Sequence, residues 1–149
     1  MPTAKRRRRN SRAAGRAAVA VQYALARRGV PSAAALARWA RAAKPGMPLT
    51  LRVVGAREAR RLNNLFRKKN RATNVLSFPL GGEGDIVLCH PVVAREARAQ
   101  GKALAAHYAH LVVHGVLHLR GFAHGRAMER REVRLLRRFG VPDPYIADR

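Results

Sequence analysis

The sequence predicts an α+β domain, a small sheet packed with several helices, and three observations carry that reading. Four short runs rich in β-branched and apolar residues stand out: AAVAVQYAL from Ala17, LTLRVV at 49–54, TNVLSFP at 73–79 and DIVLC at 85–89. Around them lie segments whose apolar residues recur three and four apart, the period of a helix. At 149 residues and 48% apolar, the chain is long enough to bury a core and too apolar to stay unfolded.

Taken in order, residues 1–15 have no apolar periodicity and are expected to form a disordered basic tail, followed by one domain over 16–149. The strand from Ala17 stops at Arg27-Arg28-Gly29-Val30-Pro31, and Ser32 is placed to cap SAAALARWARAAK. There Leu36, Trp39, Ala40 and Ala43 share one face, Arg38 and Arg41 the other, and Pro45, Gly46 and Pro48 end the helix. LTLRVV is the second strand, before a helix from about 56 to 69 with Ala59, Leu62 and Phe66 as its buried stripe. TNVLSFP is read as a strand halted by Pro79, with Gly81, Gly82 and Gly84 as a flexible link to DIVLC, a hairpin or sheet edge. From Pro91 the pattern is helical, breaks at Gly101, and resumes as a long helix over 102–119 carrying four histidines. A last amphipathic helix, about 126–139, is expected to bury Met128, Leu135, Leu136 and Phe139.

Thirty-one Lys and Arg against eight Asp and Glu give a formal charge of +23, and the first acidic residue is Glu58. Such a field attracts polyanions and makes their binding steeply salt-dependent. RNA or DNA is favoured over acidic lipid, because no basic helix with a large apolar face stands at the amino end. A GC-rich genome would produce the same arginine bias, so charge alone names no partner.

A single cysteine, Cys89, offers no intramolecular disulfide and fits a reducing compartment; within DIVLC it reads as a buried small hydrophobe. No run of 18 apolar residues and no apolar signal core is present, so the expected location is cytoplasmic, with the basic start leaving organellar targeting open.

HGVLHLRGFAH, 114–124, carries the chemistry. Chance would supply about a quarter of an H-x-x-x-H pair in such a chain, yet there are two, His110 with His114 and His114 with His118. Imidazoles four apart on a helix sit about 6 Å apart along its axis and can converge on one ion. Gly121 suits a left-handed helix stop that returns His124 over His114 and His118, giving three imidazoles and an open position, the ligand count of a catalytic zinc site. His107 and His110, one and two turns back, are read as packing or supporting groups, with His110 alternatively touching substrate phosphate; His90 is read as a cap or a solvent-facing residue. Metzincin peptidases share the spacing but follow the first histidine with a glutamate base, and here that residue is Gly115. Without the base, and with this charge, a phosphodiester suits the site better than a peptide: a metal ion acidifies water and neutralises a phosphoryl oxygen, and an arginine can offset the added charge.

On these residues the chain resembles the YbeY endoribonucleases, the rRNA maturation factors, whose signature runs H-G-x-L-H-L-x-G-Tyr/Phe-Asp-His. LNNLFRKKNRATNVLSFP (62–79), GDIVLC (84–89), MERRE (128–132) and PDPY (142–145) are similar to further blocks of that family, so the resemblance spans about 30–145. It implies a mostly parallel four-stranded sheet with about five helices, of metal-dependent hydrolase type, and one metal-dependent endoribonuclease domain over 16–149. It further implies one zinc ion on His114, His118 and His124, and Arg67 as the catalytic cation of the cleft. The implied activity is single-strand-specific cleavage of RNA in 16S rRNA 3′-end maturation and ribosome quality control, with rRNA and the small ribosomal subunit as partners.

Asp85 matches the family's Gly-Asp-Ile strand, where it would hydrogen-bond a backbone group or a ligand histidine; at a strand start it reads first as structural. The departure is Ala123, where the family usually has Asp, a position suited to support a ligand, orient water or act as base. Glu129 or Glu132 could compensate if the last helix folds over the site, although both read more simply as exposed helix acids among arginines. The competing reading is a basic RNA-binding ribosome-assembly protein with a structural metal and weak or lost catalysis; a peptidase comes third.

Overall fold

The computed structural model describes residues 18–146, so the basic tail expected over 1–15 lies outside the described residues. Its elements are β1 (Val19–Tyr23), α1 (Ala33–Ala42), β2 (Leu49–Val54), α2 (Ala56–Arg67), β3 (Val75–Leu80), β4 (Glu83–Cys89), α3 (His90–Ala99), α4 (Leu104–Leu119) and α5 (Arg126–Arg137). Four strands and five helices match the predicted α+β class.

The sheet order is β1-β2-β4-β3. The pairs β1/β2 and β2/β4 are parallel, each joined by a crossover that contains a helix, whereas β3 and β4 are antiparallel. The sheet is therefore mixed, not mostly parallel. The reason is local: β3 and β4 are separated by Gly81 and Gly82 alone, both at positive φ, and a two-residue turn can only reverse the chain.

Two expectations around this hairpin change. The strand runs through Pro79, because β3 is an edge strand bonded to β4 alone and the missing N–H faces outward. Gly84 is not linker but a buried residue of β4; a Cβ there would lie 2.7 Å from Leu119 Cδ1 of α4. Gly115 of α4 has the matching role, since its Cβ would meet Ile86 Cδ1 at 3.0 Å and Ser77 Oγ at 3.2 Å. These two glycines let α4 lie close upon the sheet.

Side-chain alternation splits the core between the two sheet faces. Leu49, Leu51, Val53, Ile86 and Leu88 join Leu36, Trp39, Tyr108, Val112 and Val116 under α1, α4 and α5. Val54, Val87 and Cys89 join Leu76, Phe78, Ala59 and Leu62 under α2, and Cys89 is the buried hydrophobe its setting predicted. Ser32 caps α1 by accepting from the Ala35 N–H, as its position foretold.

Phe66 leaves the expected buried stripe: it is 53% exposed, with its ring 5.0 Å from that of Phe78 on the edge strand β3. In α5, which ends at Arg137, Met128 and Leu136 are enclosed while Leu135 sits half-buried, as does Phe139 just beyond the helix. The residue between Met128 and Leu136 on that stripe is Glu132, fully buried, which overturns its reading as an exposed acid.

Candidate metal centre

The long helix α4 carries His107, His110, His114 and His118 along one side. It ends where the pattern required: Gly121, at φ +94°, bonds back to the His118 carbonyl, and the Phe122 N–H reaches Leu117. These two bonds form the Schellman stop, which reverses the chain and sends His124 back to the helix. Ring centroids of His114, His118 and His124 are 4.5, 5.2 and 4.4 Å apart pairwise, and the Nε2 atoms of His118 and His124 are 3.1 Å apart.

One ring nitrogen from each of the three lies within 4.8 Å of the others, so the cluster can hold a metal ion. Two nitrogens sharing one tetrahedral zinc at about 2.1 Å would stand about 3.4 Å apart, close to the observed spacing of His118 and His124. Burial, and then the potential of His114 and His124, push the His118 pKa down, which keeps a ring lone pair available.

Beneath the cluster lies a carboxylate that motif reading placed at the surface. Glu132 Oε1 receives His114 Nδ1 at 2.9 Å and His110 Nε2 at 3.0 Å, and the Tyr145 hydroxyl donates to Oε2 at 2.8 Å. Burial alone would raise the Glu132 pKa, but the three hydrogen bonds outweigh it and bring it down to about 2. An ionised carboxylate only accepts, so His114 must carry its proton on Nδ1 and present the Nε2 lone pair to an ion. The spacing 128, 132, 136 on one helical stripe was the signal that could have located Glu132.

His110 thus supports the cluster through the shared carboxylate, as the supporting reading expected. His107, one turn back, pairs instead with Glu96 at 2.9 Å. His90 does not cap α3 but opens it, half-buried, and its Nδ1 lies 2.6 Å from the hydroxyl of fully buried Tyr108. Burial pushes the His90 pKa down, which favours the neutral ring, whose Nδ1 can accept a hydrogen bond from the tyrosine hydroxyl. Asp85 is buried on β4 but shares its face with Val87 and Cys89, away from α4, so it does not touch the histidines.

The three histidines open into a cleft of about 530 Å³ whose other wall holds Arg67, Asn74, Val75, Ser77 and Pro79. Arg67, the last residue of α2, is exposed and lines the same cleft as the cluster. Gly115 points the opposite way, into the sheet, and its carbonyl accepts from Ser77 Oγ at 3.4 Å. The glutamate absent from that position therefore leaves no gap in the cleft. Ala123 is exposed, and the carboxylate that orients a cluster histidine comes from α5.

No helix among the described residues is long and apolar enough to cross a membrane. The solution structure of TM1509 from Thermotoga maritima superposes with a TM-score of 0.55 over 79% of this chain and 86% of that one, at 22% identity, which supports the fold. The protein named endoribonuclease YbeY in Stenotrophomonas maltophilia (strain K279a) is 48% identical over 88% of this chain and 94% of its own length. That of Xanthomonas axonopodis pv. citri is 47% identical over 87% and 94%. The family model described as endoribonuclease YbeY matches residues 20–140, and the chain belongs to that family of RNA-cleaving enzymes.

Proposed function

We propose that the domain over 16–149 is a zinc-dependent, single-strand-specific endoribonuclease that trims the 3′ end of 16S rRNA and serves ribosome quality control, in the cytoplasm with the small ribosomal subunit as partner. The observation that supports it most is one cleft lined by His114, His118 and His124 on one wall and Arg67 on the other. Three imidazoles with an open position suit zinc, held by His114, His118 and His124 as one ion per chain. When bound, that ion would supply Lewis acidity toward water and a phosphoryl oxygen.

The chain's own residues do the rest. Glu132 holds the His114 ring in one tautomer and one orientation. Arg67 sets a guanidinium, five donors in a plane, where a phosphate entering the cleft gains charge in the transition state. Asn74 and Ser77 offer amide and hydroxyl groups along the same floor. The formal charge of +23 draws RNA to this cleft and makes capture salt-dependent.

The competing reading, an RNA-binding assembly protein with a structural metal, is favoured by one feature, the alanine at 123. Incubating metal-loaded protein with single-stranded RNA separates the two. Wild type should cleave, while His114→Ala and Arg67→Ala should lose at least about 100-fold in rate; equal cleavage by all three would remove the enzyme reading. Ala123→Asp should raise activity or metal affinity if the position belongs to the machinery, and no change would exclude it.

A further inference from the structure

Few large hydrophobic side chains stand in water among the described residues, and two of them are neighbours at the end of α2: Leu65, 68% exposed, and Phe66, 53%. Phe66 is not a loose side chain. Its ring is braced against Phe78 at 5.0 Å with a 55° tilt, and Phe78 is itself anchored in the core, so the outer part of the Phe66 ring is held out to solvent in a fixed place.

The ring stands at the sheet edge beside the cleft, resting on the face of the sheet that α2 covers. Arg67, the next residue of α2, lines the cleft, and so do Ser77 and Pro79, which flank Phe78 on the edge strand β3 and alternate to the opposite face from it. Along the chain the charge on either side of Phe66 is of one sign: Arg60, Arg61, Arg67, Lys68, Lys69 and Arg71, with no acidic residue between Glu58 and Glu83.

The basic turn is built rather than loose. Lys68 takes a left-handed conformation at φ +57°, with its N–H on the Asn64 carbonyl. Buried Asn63 donates its amide to the Arg71 carbonyl at 2.9 Å, and Arg60 Nε donates to Asn70 Oδ1 at 2.8 Å. The turn is thereby folded back upon α2.

An apolar protein partner would have to desolvate this ring of cations, which is why charged residues are depleted from interface centres. A strand of unpaired nucleotides has what the surface lacks, phosphates for the cations and π faces for the phenyl ring. We propose that Phe66 is a stacking platform for an unpaired base of the RNA that enters the cleft, with the 67–71 turn gripping the adjoining phosphates. This rests on the nuclease reading and supplies a physical basis for single-strand selection, because a duplex keeps its base faces hidden in its own stack.

The test uses zinc-loaded protein and a short single-stranded oligoribonucleotide carrying 2-aminopurine, with fluorescence quenching read by stopped flow before cleavage and kcat and KM measured on the same strand. Phe66→Ala should abolish the quenching and raise KM about tenfold with kcat within about twofold. Phe66→Tyr, which keeps the π face, should restore both. Phe66→Leu, which keeps apolar bulk alone, should not, and it controls for folding together with the unfolding temperature.

Binding by Phe66→Ala equal to wild type, or rescue by leucine as full as by tyrosine, overturns the platform. So does a wild-type dimer in sedimentation that Phe66→Ala dissolves, since a second copy would then be the occupant. Quenching without cleavage in the wild type would instead sink the nuclease reading and leave the platform standing.

Discussion

On one side of the cleft, His114 is held by a carboxylate that is itself wholly enclosed and bonded to His110 and Tyr145. On the other, Arg67 stands exposed at the end of a helix, next to a half-exposed phenylalanine and a turn of cations. The histidine wall is built inward from the core, where a buried carboxylate is costly without partners and its hydrogen bonds fix the geometry. The α2 wall is built outward from an edge strand, where charge and reach matter more than a fixed rotamer. A site of the kind proposed, which holds an ion and admits a polymer, needs both kinds of wall.

The severest way to break the contrast is to place the metzincin-like glutamate into this chain. Gly115→Glu pushes a carboxylate against Ile86 and Ser77, inside the core, and should cost at least about 3 kcal/mol and most of the folded yield. Circular dichroism and a denaturant titration check it; a stable, more active variant would mean that the position faces the cleft after all.

Next in size is the supporting carboxylate. Glu132→Gln keeps the volume but removes the negative charge and turns one acceptor oxygen into a donor, so the hold on the His114 Nδ1 proton weakens and zinc affinity by competition with a chelator should fall about 10- to 100-fold. On chelation the same variant should lose less thermal stability than the wild type, because stabilisation by a ligand grows with the logarithm of its affinity for the folded state. An unchanged affinity would make Glu132 a packing residue only.

The smallest effect concerns how the α2 wall is fastened. Arg52 of β2 makes two bonds to Glu58 in the first turn of α2, at 2.7 and 3.1 Å, and a third to Gln22 of β1. The hydrogen bond from Arg52 holds the Glu58 pKa below its ordinary value, despite partial burial. A depressed carboxylate stabilises the fold above its unfolded pKa and ceases to do so as pH falls through the folded value. Glu58→Gln should therefore lower stability by about 1 kcal/mol at neutral pH, with the difference shrinking below about pH 4. A gap that persists at low pH would assign the effect to packing.

The histidine wall was the more legible of the two in sequence, and for a physical reason. A helix repeats every 3.6 residues and a glycine stops it, so His114, His118, Gly121 and His124 announce their convergence by spacing alone. Glu132 escaped because an acid among arginines looks like surface, and only its period with Met128 and Leu136 gives it away. Phe66 and Pro79 were misjudged together: whether a stripe is covered, or a proline tolerated, depends on which strand lies at the edge. That is decided by long-range pairing, which local patterns do not carry. The mixed sheet, by contrast, was readable from the paired glycines at 81 and 82 once their number, two, was taken as a tight turn.

The most direct test of the division of labour is to measure zinc content and single-stranded RNA cleavage on the same preparations of wild type, His114→Ala and Arg67→Ala. The two walls acting as described predict about one zinc per chain with cleavage in the wild type, neither in His114→Ala, and full zinc without cleavage in Arg67→Ala. Loss of zinc from Arg67→Ala, or cleavage retained by His114→Ala, would contradict it.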